Sequence, residues 1–174
     1  MADNILKWCK SVAEITPARW FSLVQSVPME LLVMRPAPNE WSAIECLQHM
    51  VDVERVSFPT RIKALLAGEP FPGFNPADQP PKPAPTIALA DEFNHLRQQT
   101  LVLINQITEA DLDKQALHAE YGMVTMRQLL HHIAGHDLNH LVQAERALMQ
   151  PFINGCGPWV VNYDDHIVKG FELP

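Results

Sequence analysis

His136 and His140 stand four residues apart in the stretch Thr125 to Gln150, which reads as one long helix. At that spacing two imidazoles share a helix face, about 6 Å apart. Met126, Leu129, Ile133, Leu141, Ala144 and Leu148 lie on the same stripe. A core stripe is apolar, so two imidazoles on it need a reason, and joint coordination of a metal ion supplies one. Neutral imidazole nitrogens bind zinc at about 2.0–2.1 Å. Two ligands make a weak site, and a third is wanted from another element.

Eight histidines are available, at 49, 95, 118, 131, 132, 136, 140 and 166. His49 is the best third donor. It follows Ser42, the cap of its own helix, by seven residues, which places it about 10 Å from that helix's start. His140 precedes Gln150 by ten residues, about 15 Å from the end of its helix. If the two helices run antiparallel, the start of one is level with the end of the other, and the three imidazoles meet. His131 points away from this seam. His132 is one turn before His136 and is a candidate for a supporting or core role, with a fourth metal ligand as the alternative. His95, His118 and His166 carry no local pattern. Cys46, one turn before His49, reads as a buried small hydrophobe.

The elements that must hold these residues follow from periodicity and punctuation. Residues 2–15 have helical spacing, and Thr16-Pro17 has the form of a fresh N-cap and first-turn proline, opening a helix to about Val27. Pro28, Pro36 and Pro38 break the next stretch, with a short turn over Met29 to Met34. Ser42-Ala-Ile-Glu45 is a capping box for a helix to about Ala67, bent at Pro59. Gly68 to Pro85 contains eight further prolines and glycines and reads as an extended loop. Thr86 opens a third helix to about Ile107. His118 to Val124 is a linker with some extended character. Thr125-Met-Arg-Gln128 is a second capping box, and residues 151–174 form an irregular tail.

Four long helices with almost no strand signal predict an all-α four-helix bundle. The Pro-rich loop is long enough to run the height of the molecule, so it acts as a crossover between helices 2 and 3. The predicted order is up-down-down-up, which makes the helices of His49 and His136 antiparallel. A single domain over residues 1–174 is expected, with its core at 16–150.

Composition narrows the partners. The net charge is −7 and no basic cluster is present, which argues against nucleic acid and anionic membrane. No run of 18 apolar residues occurs, so no membrane-spanning helix is expected. No signal peptide is evident at the N-terminus. Three scattered cysteines, Cys9, Cys46 and Cys156, fit a reducing cytoplasm with no disulfide framework.

Several of these residues match a known pattern. Trp41-Ser42 through Cys46-Leu-Gln-His49, Asp52-Val-Glu54, Tyr121-Gly122, Leu129-Leu130-His-His132 and Gly135-His136-Asp137-Leu-Asn-His140-Leu-Val-Gln143 resemble the DinB-like superfamily of four-helix metalloproteins. That group includes thiol-dependent S-transferases. The resemblance spans roughly residues 16–150. It implies that the metal ligands are His49, His136 and His140, that the metal is divalent, zinc or nickel, and that the chain forms a homodimer. Its partners would be a low-molecular-weight thiol and a small electrophile.

Three neutral ligands leave a metal its full charge and at least one open position, whereas closed structural zinc sites usually have four protein ligands. An open position can hold water and lower its pKa, or hold a thiol as its thiolate. The alternative is a non-catalytic metal-binding bundle acting as a sensor or assembly module. Glu45, Asp52, Asp137 and Gln143 are the groups close enough in sequence to orient the imidazoles. Two further readings are weaker. His136-Asp-Leu-Asn-His140 has the spacing of a zinc-peptidase helix, with Asp in place of the usual Glu. Glu92-Phe-Asn-His95 supplies only one of the two Glu-x-x-His pairs of a di-iron bundle.

Overall fold

The computed structural model describes residues 4–78 and 86–171. Helix α1 spans Ile5–Ser26 and a short helix α2 spans Met29–Leu32. Helix α3 (Ala43–Asp52), a π turn (Val53–Ser57) and helix α4 (Phe58–Ala67) follow without a break. Helix α5 is Thr86–Gln106. Strands β1 (Gln115–His118) and β2 (Gly122–Thr125) form an antiparallel hairpin before helix α6, Met126–Gly155.

Two apolar clusters set the directions of the helices. One joins Ile5 and Cys9 of α1, Ile62 and Leu65 of α4, Ile104 of α5, and Leu129 and Leu130 of α6. The other joins Trp20 and Val24 of α1, Ile44 and Leu47 of α3, Leu89 and Phe93 of α5, and Leu141 and Ala144 of α6. Between the two clusters α1 and α6 run one way, while α3–α4 and α5 run the other. The bundle is therefore up-down-down-up, as predicted. The path of the Pro-rich crossover at residues 79–85 lies outside the described residues. Before that point the chain pairs with the hairpin: Phe71 N–H donates to the Leu117 carbonyl at 3.0 Å, and Ala119 N–H donates to the Phe71 carbonyl at 3.1 Å.

Three local expectations need correction. The helix break at Thr16-Pro17 does not occur, and α1 is continuous with Pro17 inside it. Pro17 has no N–H for the Ala13 carbonyl four residues earlier. That carbonyl instead accepts from the Arg97 guanidinium at 3.3 Å, while the Thr16 hydroxyl donates to the Val12 carbonyl at 2.7 Å. A tertiary donor thus replaces the missing bond. Likewise α6 does not stop at Gln150 but continues through Pro151 to Gly155. The tail is not irregular, since Gly157–His166 forms 3-10 turns. It docks back on α6, with Arg146 donating to the His166 and Ile167 carbonyls and Val168 N–H donating to the Gln150 amide. This packing covers Ile153 beyond the proline and holds the last turn.

Elsewhere the local signals act as read. Ser42 with Glu45 and Thr125 with Gln128 form reciprocal capping boxes at the starts of α3 and α6. Pro59 falls in the first turn of α4, directly after the π turn, where the lost N–H is least disruptive. Gly68 takes φ 73° to end α4, a left-handed conformation that a side chain would oppose.

Candidate metal centre

His49 projects from the second half of α3, and His136 and His140 from the middle of α6. The antiparallel pairing brings one ligating atom from each within 4.8 Å of the others. The Nε2 atoms of His49 and His136 are 3.1 Å apart. Two ligands of a tetrahedral zinc ion sit about 3.3 Å apart by simple geometry. The His49 and His140 ring centroids are 4.5 Å apart, and those of His136 and His140 are 4.4 Å apart.

Apolar rings pack around the cluster. Trp41 lies 4.9 Å from His49 and stacks on His140 at 5.9 Å. Phe74 covers His49 at 5.7 Å, and Phe58 meets His136 edge-on at 5.3 Å. Only 8% of His49 and 7% of His140 remain exposed. Removal from water disfavours the imidazolium, so burial pushes His49 down to about 4 and His136 down to about 2, with repulsion from the other imidazoles adding to it. His140 is lowered by burial too, though its bond to Gln143 opposes the shift. All three rings are therefore neutral near pH 7, the form that ligates a metal.

Of the four proposed orienting groups, Gln143 does the work expected of it. His140 Nδ1–H donates to Gln143 Oε1 at 2.9 Å, which fixes the tautomer and leaves Nε2 with its lone pair free. The Nδ1 atoms of His49 and His136 are buried without a hydrogen-bond partner, so packing alone holds those rings. Glu45 is committed elsewhere, to the cap of Ser42 and to Arg35. Asp52 pairs with Arg55 at 3.4 Å. Asp137 turns away from the imidazoles into a buried ionic group. Arg97 Nη1 and Nη2 donate to its two carboxylate oxygens at 2.5 and 2.8 Å, and Arg97 Nε donates to Glu54 Oε1 at 3.0 Å. Glu54, Arg97 and the Asp137 side chain are fully buried. An Asp tied in this way is not a free general base, which removes the peptidase reading. Glu92 and His95 are bound to Arg55 and Gln99 at the surface, so they build no di-iron site.

The DinB superfamily model matches residues 13–144. The chain belongs to the DinB superfamily. Two solved structures have its fold. YfiT from Bacillus subtilis, described as a probable metal-dependent hydrolase with an unusual four-helix bundle topology, superposes with a TM-score of 0.72 at 15% identity, covering 84% of this chain and 87% of YfiT. A DinB-like protein of Bacillus subtilis superposes with a TM-score of 0.55 at 20% identity, covering 84% and 90% of the two chains. A search of curated proteins gives no match.

The remaining histidines of this DinB-family chain divide clearly. His131 is exposed, as expected; His132 is exposed too, so it is not a core residue, and it stands outside the group of three ligating atoms with its ring 5.5 Å from that of His136. Cys46 is wholly buried and its thiol is pushed up to about 12 by burial, the behaviour of a core residue. His118, which carries no sequence pattern, is 3% exposed on the hairpin. Arg97 also escapes sequence reading, because a lone arginine in an amphipathic helix looks like a surface residue. No described helix is long and apolar enough to cross a membrane.

Proposed function

We propose that this protein is a divalent-metal-dependent enzyme whose ion is held by His49, His136 and His140, and that it transfers a small thiol to an electrophilic small molecule. The observation that carries the reading is the convergence of three neutral imidazole nitrogens within 4.8 Å of one another, with no Cys, Asp or Glu completing the group among the described residues. Zinc or nickel suits three nitrogen donors. Such an ion, when bound, supplies Lewis acidity at an open position where a thiol is held as its thiolate, the nucleophilic form.

The chain's own residues supply the rest. Gln143 presents His140 in the ligating tautomer. Trp41, Phe58 and Phe74 keep bulk water from the imidazoles and lock their planes. The buried Arg97 group keeps the Asp137 carboxylate from competing for the ion. YfiT's description as a probable metal-dependent hydrolase points to water as the other occupant of an open position. A panel assay separates the two. Metal-loaded protein is mixed with several low-molecular-weight thiols and electrophiles, and separately with ester and amide substrates. The transferase reading expects thiol consumption that depends on the metal and disappears in His140→Ala. Metal-dependent hydrolysis with no thiol consumed would replace it.

A further inference from the structure

A second site lies beside the histidine cluster. A cavity of about 340 Å³ opens between α4, the hairpin and the first turns of α6, lined by Arg61, Phe71, His118, Tyr121, Leu129 and His132 among others. Its chemistry is uneven in a telling way. Most of the wall is apolar or aromatic, yet it holds one cation and one orphaned polar atom.

The cation is Arg61, half-buried on α4. It makes no hydrogen bond or ion pair among the described residues. Glu120 and Tyr121 lie near enough to influence its charge, but neither is bonded to it. The Glu120 carboxylate instead lies against Gly73, where a Cβ would come within 2.2 Å of its Oε1. The polar atom is Nε2 of His118. His118 Nδ1 accepts from the Glu120 backbone N–H at 3.0 Å, so the proton of the neutral ring is on Nε2. Burial and the Arg61 charge both favour that neutral form. Nε2 is buried and has no partner. A buried donor without an acceptor is costly, and a ligand that accepts from it recovers that cost.

We propose that this cavity binds the carboxylate of a small organic acid with an apolar or aromatic body. Arg61 and His118 donate to the carboxylate, and Phe71, Tyr121 and Leu129 enclose the body. The guanidinium fork matches a planar carboxylate. One fork and one ring N–H are too few donors for the oxygens of a phosphate dianion. The cavity adjoins the histidine cluster through His132, whose ring is 5.5 Å from that of His136, and through Phe58, which contacts both rings. Resting on the proposed function, the acid is the electrophilic substrate, anchored by its carboxylate with its body directed toward the metal.

The test uses full-length, metal-free protein titrated with benzoate and followed by NMR. Saturable binding is expected, with shifts centred on the Arg61 side chain, His118 and the 118–124 backbone. Arg61→Gln should weaken binding by about tenfold or more, as should replacing benzoate with benzyl alcohol, which has the same body without the charge. Circular dichroism equal to wild type shows that Arg61→Gln is folded, and His118→Phe gives a second, independent loss. Benzoate affinity unchanged by Arg61→Gln overturns the proposal. So does tighter binding of inorganic phosphate, or the absence of binding for benzoate, cyclohexanecarboxylate and hexanoate alike. Because no metal is present, failure of the thiol-transfer reading leaves this result standing. Conversely, a metal-loaded, thiol-consuming protein that binds none of these acids defeats the carboxylate site alone.

Discussion

His136 and Asp137 are consecutive residues that serve two opposite kinds of buried polar group. On one side of α6, His136 joins His49 and His140 in a cluster of neutral rings with unspent nitrogen lone pairs. On the other side, Asp137 joins Glu54 and Arg97 in a closed ionic group that also takes up the Ala13 carbonyl freed by Pro17. The first group is held by the bond from His140 to Gln143 and by the rings packed around it. The second is tied to three helices and the π turn. A polar cluster whose charges are paired is structural even where one oxygen, Glu54 Oε2, lacks a hydrogen bond, whereas one that leaves nitrogen lone pairs aimed at a common point has room for a ligand.

The sharpest way to break this contrast is at Arg97. Arg97→Met leaves two buried carboxylates without a cation and the Ala13 carbonyl without a donor, and should destabilise the fold by about 3–5 kcal/mol. Urea unfolding measures it. Replacing Glu54, Arg97 and Asp137 together by apolar residues should recover much of that loss, because well-packed apolar side chains often substitute for a buried ion group. His136→Ala should do the reverse. Secondary structure by circular dichroism stays as in wild type, while bound metal, measured by elemental analysis, falls to background. Gln143→Leu keeps all three ligands but frees the His140 tautomer, so metal affinity should drop by about 10–100-fold, read by competition with a chelator.

A further effect appears only on acidification. In the metal-free protein His49 is held at about 4 against an ordinary 6.5. The unfolded chain therefore takes up protons that the folded chain refuses, and stability falls as pH drops from about 6.5 toward 4. Above 6.5 this contribution is complete. Denaturation midpoints across that range should slope downward with acid, and the slope should be shallower in His49→Gln.

The contrast also shows what a sequence can disclose. The imidazoles were legible because helical spacing puts His136 and His140 on one face, and because two capping boxes set the heights of α3 and α6. The bundle direction followed from the length of the Pro-rich stretch between helices 2 and 3, which permits one parallel pair. The ionic group was not legible, since Glu54, Arg97 and Asp137 come from three separate segments and each looks like a surface charge in its own helix. Pro17 misled for a related reason. Thr16-Pro17 is a sound helix start locally, and only Arg97, 80 residues on, supplies the donor that lets the helix continue. The short hairpin was only faintly signalled, yet it carries His118 and half of the second cavity.

X-ray absorption on the zinc- or nickel-loaded protein would see whether His49, His136 and His140 hold the ion with one position open. Three imidazole nitrogens at about 2.0–2.1 Å with one further light-atom ligand are expected, and for zinc a sulfur neighbour at about 2.3 Å once a small thiol is added. A spectrum with fewer than three imidazoles, or with a fourth protein ligand that no thiol displaces, would contradict this coordination.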